Sequence, residues 1–275
     1  MIFAEVTSIA SSHPILNQDP SEFIPEIVKT LDDEDPVIVK EALLLLERTV
    51  KKDHFVHGFY SAMVRSRPLI HAIVNAMNKA YTIMVQSDGV DTNEAKCALE
   101  AAEKRARIAT DILRTMANRN ERTENLIACE GIVSVGGIFA LTLLLPSHLE
   151  RIKYNSVVTI HTVLLAHQGR ERHGLLYEAK KQFRDAKGIQ VMVDLLENAG
   201  NNVKLLAVVC DCLYYVETGD KRSKQIILSE KGTERAMKIL KKAKYPNLVE
   251  KALKMLQGKR KMFQVHTYFL EDVVI

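Results

Sequence analysis

The chain is predicted to be all-α, an α-solenoid of repeated helical units. Three observations carry that expectation. Apolar residues recur at helical spacing, as in Leu205, Leu206, Val209, Leu213 and Val216. One pattern of sequence returns several times: PLIHAIVNAM from Pro68, GIFALTLLL from Gly137, GIQVMVDLL from Gly188 and GTERAMKIL from Gly232. Each is a small or helix-starting residue followed by an amphipathic helix, a polar turn and a longer apolar helix. The glycines stand 51 and 44 residues apart, within or slightly above the period of helical solenoid units. Finally, 275 residues carry no Trp, 12 Gly and 7 Pro, which suits helices joined by short connections.

Taken in order, residues 1–21 hold little periodicity and read as a leader, punctuated by Pro14 and Pro20. FIPEIVKTL from Phe23 is an amphipathic helix. The acidic run Asp32, Asp33, Glu34, Asp35 then precedes Pro36 and a second helix over 37–50. Carboxylates there favour the positive end of the helix dipole, and proline suits the first helical position. Two charged stretches, 79–103 and 170–184, read as surface insertions that lengthen the second and fourth units. Further on, 204–216 is a helix ended by Thr218-Gly219-Asp220, with glycine supplying the left-handed turn, and a new helix follows with Lys224 near its start. The repeat region is placed at 22–257 and a divergent tail at 258–275, whose Phe263, Val265, Tyr268 and Leu270 are apolar enough to cover the last unit.

Composition narrows function. The net charge of +4 and pI near 8.7 are mildly basic and lack the dense basic face of a strong nucleic-acid binder, so no direct nucleic-acid contact is expected. The start MIFAEVTSIASSHP lacks the basic and apolar regions of a secretory signal, and the apolar stretch 132–145 is too short to cross a bilayer. Membrane insertion is therefore not expected, and an intracellular setting is. Cys97, Cys129, Cys210 and Cys212 read as reduced, buried thiols, since the neighbours two apart on one helix face different sides. The pair His54 and His57 lacks the further ligands of a zinc site. With no G-x-S-x-G, P-loop or dinucleotide fingerprint, the expectation is a non-enzymatic protein with no metal and no cofactor.

Two helices carry matching stripes at spacings of four, three and four. Tyr154, Val158, His161 and Leu165 form one; Lys204, Val208, Asp211 and Tyr215 form the other. Side by side, they would floor a shallow groove of aromatic, aliphatic and cationic character. Asp211 is left open between pairing with Lys204 or Lys224 and meeting a ligand. His161 is open between groove contact and packing.

Several segments in one order resemble the armadillo repeats of β-catenin, plakoglobin and the armadillo protein. They are TLDDEDPVIV from Thr30, MVRS from Met63, VTIHTVLLAHQ from Val158, NVKLLAVVCDCL from Asn202 and GDKRSKQIIL from Gly219. The resemblance implies a right-handed α-solenoid of about five armadillo repeats, whose third helices bind extended acidic segments of cadherin tails, T-cell-factor-type transcription factors, and axin and adenomatous polyposis coli scaffolds. It implies a role in adhesion, Wnt-type signalling and transcription coactivation, in the cytoplasm, at the cell junction and in the nucleus. Lys224 matches the family's clamp lysine, Lys204 a second basic contact and Lys254 a further groove cation. Tyr154 and His161 match an aromatic and a histidine of the third repeat. Arg114 stands where the family has a groove histidine, and Asn247 where it has a basic residue. The α-catenin segment has a counterpart only for its later half, which makes α-catenin the weaker partner. Two alternatives from other classes are a truncated competitor with little binding of its own and an importin-α-like transport adapter. The latter needs a Trp ladder that this chain lacks.

Overall fold

The computed structural model describes residues 20–51, 57–118, 122–167, 173–198 and 202–230. Within them are twelve helices and no strand: α1 Pro20–Leu31, α2 Pro36–Lys51, α3 His57–Arg65, α4 Arg67–Ser87, α5 Asn93–Asn118, α6 Arg122–Ser134, α7 Gly137–Leu143, α8 Glu150–Ala166, α9 His173–Asp185, α10 Gly188–Asn198, α11 Val203–Glu217 and α12 Lys221–Ser229.

Local chemistry sets the boundaries. Asp35 Oδ1 accepts from the Val37 amide at 2.8 Å, which caps α2 just ahead of its first-position proline. Ser66 caps α4 through the Leu69 amide, and Asn202 caps α11 through the Leu205 amide. Gly219, at φ +73°, turns the chain between α11 and α12 as the sequence leads one to expect. Segments Thr123–Ser134 and Gly137–Leu143 meet at 76°, with Gly136 in the left-handed region at the corner.

Three rows of helices result. Helices α2, α5, α8 and α11 pack successively side by side; α1, α4 and α7 form a second row, and α3, α6 and α9 a third. Each full unit (α3–α5, α6–α8, α9–α11) consists of a first helix, a second and a third that is the longest of the three. The core runs continuously between the rows, with Leu43, Leu46, Met63, Ile73, Ile108, Leu113, Ile160, Phe183 and Val209 excluded from water. At about 25 cal/mol per Å² of apolar surface removed from water, each such side chain contributes roughly 1.5–3 kcal/mol. That is why neighbouring units stabilise one another.

The structure corrects the reading of 170–184. Helix α9 occupies the described part of that stretch, from His173 on, and its Leu176, Ala179 and Phe183 are buried, so it is the first helix of a unit rather than a surface insertion. Its polar flank disguised a one-sided core face. Residues 79–103 behave differently: they prolong α4 and begin α5, with Gly89 at φ +76° in the turn between, and their surface is largely exposed. Cys129, Cys210 and Cys212 are buried, whereas Cys97 lies exposed on that prolonged pair, contrary to expectation. No single helix among the described residues is long and apolar enough to cross a membrane. The tail 258–275 with its four apolar residues, Asn247, and His54 lie outside the described residues.

Candidate functional site: the row of third helices

The row α2–α5–α8–α11 is joined by polar bridges as well as by its core. Thr162 Oγ1 on α8 donates to Asn118 Oδ1 on α5 at 2.7 Å, and Asn155 Nδ2 donates to Thr110 Oγ1 at 3.4 Å. The Cys212 thiol on α11 points to the Val157 carbonyl on α8 at 3.8 Å. Such buried pairs satisfy groups whose orphaning costs about 1–3 kcal/mol each, so they fix the register of successive third helices.

Two of the predicted stripes meet at the α8–α11 seam. His161 Nε2 lies 3.7 Å from Asp211 Oδ2, and the His161 and Tyr215 rings are 5.8 Å apart at 53°. Tyr214 stacks edge-on against Tyr215 at 5.5 Å. Asp211 therefore faces His161, and Lys224 pairs with Glu217 instead; the Lys204 alternative lies outside the described residues. Burial, with the charge of Asp211 and neighbouring Tyr214 adding to it, pushes the Tyr215 phenol up to about 12. That hydroxyl stays protonated and able to donate at neutral pH. Tyr154 is half-buried; burial raises its phenol, and the nearby Arg114 charge acts against the rise. Val158 is buried at the seam, so it packs the floor and offers no surface to a ligand, while Val208 is half-buried.

Lys224 stands on α12 with 59% of its side chain exposed and reaches Glu217 Oε1 at 3.6 Å. The start of α12 is held firmly by contrast. Asp220 accepts from the Arg222 and Ser223 amides and from Ser223 Oγ. Arg184 of α9 reaches across to Asp220, and the buried Lys180 donates to the Thr218 carbonyl. Burial lowers the Lys180 ammonium from its ordinary value, with the Asp220 charge opposing. Helix α9 thus clamps the turn that presents Lys224. Lys204 lies in α11, but its side chain falls outside the described residues, as does Lys254 altogether.

Sequence reasoning missed a third stripe. Arg107, Asp111, Arg114 and Asn118 on α5 repeat the spacing of four, three and four, and the pattern was there to be read. The fully buried Asp111 carboxylate takes Lys51 from α2 and Arg114 at 2.9 Å, with Arg151 of α8 at 3.9 Å. Glu47 holds Lys51 at 2.9 Å and Arg107 at 3.5 Å. Burial by itself would raise the Asp111 carboxyl; hydrogen bonds and charge from Lys51 and Arg114 outweigh it and hold the group at about 2. Among the described residues, no cluster of three or more His, Cys, Asp or Glu is arranged to hold a metal.

Known proteins are similar to this chain. Human junction plakoglobin is 31% identical over 250 residues, 90% of this chain, and catenin beta of Urechis caupo is 30% identical over 226 residues, 82% of this chain. The chain is a homologue of junction plakoglobin and catenin beta. It spans 28% of the plakoglobin length and 23% of the catenin length. No protein-family profile matches it. A solved structure concerned with a conserved phosphorylation switch in the interaction between cadherin and beta-catenin superposes with a TM-score of 0.56. It covers 84% of this chain and 35% of that one at 20% identity, and it shows the armadillo fold. The three-helix units described above are accordingly armadillo repeats; the described residues hold two helices of a first, three complete repeats and one helix of a fifth.

Proposed function

We propose that this protein is a β-catenin-like, non-enzymatic scaffold that binds extended acidic peptide segments along its row of third helices. The observation that carries the reading is that row itself. Helices α2, α5, α8 and α11 stack in register, and their cations Lys51, Arg107, Arg114 and Arg151 are partly exposed. Kinship with plakoglobin and catenin supports segments of the cadherin-tail kind as ligands, at the cell junction and in the cytoplasm. T-cell-factor, axin and adenomatous polyposis coli segments, with a nuclear Wnt-type role, are the extension of the same groove chemistry. The binding region is taken as 22–257.

Lys224 is the proposed clamp. Its exposed pair with Glu217 is worth only about 0.2–1 kcal/mol, so a ligand carboxylate can displace Glu217 at little cost. Once neighbouring aromatic groups shield the new pair, breaking it costs on the order of 2–5 kcal/mol. The His161, Asp211, Tyr215 cluster lines the same stretch and supplies a phenol donor; Tyr154, Val208, Lys204 and Lys254 complete the proposed surface, with Val158 beneath it. Pull-down with an acidic cadherin-tail peptide compares wild type with Lys224→Glu. A loss of capture supports the clamp; equal capture by both removes it.

A further inference from the structure

Helices α4 and α5 are longer than their places in a repeat require. Helix α4 has 21 residues where its counterpart α10 has 11, and α5 has 26 where α8 has 17. At 1.5 Å of rise per residue the excess adds about 14 Å to each helix. The core stops at Ala80 on one and Ala102 on the other, and no residue from 81 to 101 is fully buried. What extends beyond the core is a built hairpin. Gly89 makes the turn at φ +76°, the Val90 amide donates to the Ser87 carbonyl at 3.2 Å, and Thr92 Oγ1 caps α5 by accepting from the Ala95 amide at 3.1 Å. We propose that this hairpin is a docking finger for a basic amphipathic helix of another protein, which lays its apolar stripe over Val85 and Val90.

Val85 is 56% exposed and Val90 45%. Valine is a weak helix former, so an exposed one at 85 serves neither helix propensity nor the core. The half-buried Tyr81 lies one turn before Val85 and continues the same stripe. Charge then selects the occupant. Residues 81–101 hold four carboxylates and one lysine in a chain whose net charge is +4. That lysine, Lys96, is paired with Asp91 at 2.5 Å, while Asp88, Glu94 and Glu100 have no cation partner among the described residues. A phospholipid or nucleic-acid surface would set phosphates against these carboxylates, and the same hairpin of a second copy would set like charge against like. A helix with Lys or Arg beside an apolar stripe meets both features, and two antiparallel helices offer the groove into which a third packs. Glu94 and Glu100 precede Arg107, where the cationic stripe of α5 starts, so the finger is the chemical reverse of the surface proposed for acidic peptides.

Fluorescence anisotropy with the full chain tests this using labelled peptides of about five helical turns, roughly 18 residues. They are a Leu/Lys helix with its leucines on one face, a scramble of the same composition without such a face, and a Leu/Glu helix. The expected result is saturable binding of the Leu/Lys helix, at least ten-fold tighter than either control. Val85→Asn with Val90→Asn, both at exposed positions, is expected to weaken it at least ten-fold. Asp88→Asn with Glu94→Gln and Glu100→Gln should weaken it too and flatten its salt dependence. Cys97, exposed within the finger, gives a local readout: saturating Leu/Lys peptide should slow its modification by a thiol reagent at pH 8 at least five-fold. A control peptide that binds as tightly, a valine variant that binds like wild type, or unchanged Cys97 reactivity overturns the proposal. So does a protein that self-associates in sedimentation and dissociates when the two valines are replaced, because the finger then receives a second copy. None of these readouts uses Lys224 or an acidic ligand, so failure here is distinct from failure of the acidic-peptide clamp.

Discussion

Replacing Asp111 by Asn keeps the shape of the buried side chain and removes its charge. The native carboxyl is held at about 2 against an ordinary value of 3.8. A difference of nearly two units corresponds to about 2–3 kcal/mol of preference for the charged form in the folded state. Removing one member of a fully buried pair costs about 3–5 kcal/mol, but Lys51 and Arg114 can turn to water, so the lower range applies. The sign follows from the depressed value. Asp111 stabilises fully above the unfolded value near 3.8, and its contribution fades as pH falls through about 2. Urea unfolding at pH 7, 5, 4 and 3 should therefore show wild type about 2–3 kcal/mol more stable than Asp111→Asn at neutral pH. The gap should hold to about pH 4.5 and be roughly halved at pH 3. A gap that is negligible at pH 7, or one that stays constant down to pH 3, would refute the reasoning.

Three further outcomes test the packing. A Cβ on Gly188 would stand 2.4 Å from the buried Phe183 ring, so Gly188→Ala is expected to lose about 1–3 kcal/mol, read as a lowered thermal midpoint. Asp220→Ala removes the cap of α12 and the partner of Arg184, for a loss of about 1–2 kcal/mol in urea, and Asp220→Asn should recover part of it as a capping residue. Burial, with the charge of Asp211, raises the Cys210 thiol to about 12, and burial raises Cys212 well above its ordinary value too, so a thiol reagent at pH 8 should find a single fast site at Cys97, abolished by Cys97→Ser.

The solenoid was legible because its second and third helices announce themselves. Their apolar faces repeat with the units, and the acidic run ahead of Pro36 marks a start that the structure keeps through Asp35. The first helices were not legible. Helix α9 mixes Lys180, Lys181 and Arg184 with its core residues, and Lys180 itself is buried, so a charged stretch concealed a packed one. The stripes on α8 and α11 do come together, at His161, Asp211 and Tyr215. Spacing alone could not say that Val158 would be buried, or that Asp211 would meet a histidine from the neighbouring repeat. Those outcomes depend on how adjacent repeats are rotated. The α5 stripe was readable by the same rule, but its meaning rests on Lys51 and Arg151 arriving from neighbouring repeats, which no local pattern contains.

The most direct test of a groove for acidic extended peptides is a fluorescence-anisotropy titration of one such peptide against its twin with every Asp and Glu changed to Asn and Gln. The account predicts saturable binding of the acidic peptide, weakened steeply by added salt, and at least ten-fold poorer binding of the neutral twin. Equal affinity for the two peptides, indifferent to salt, would contradict it.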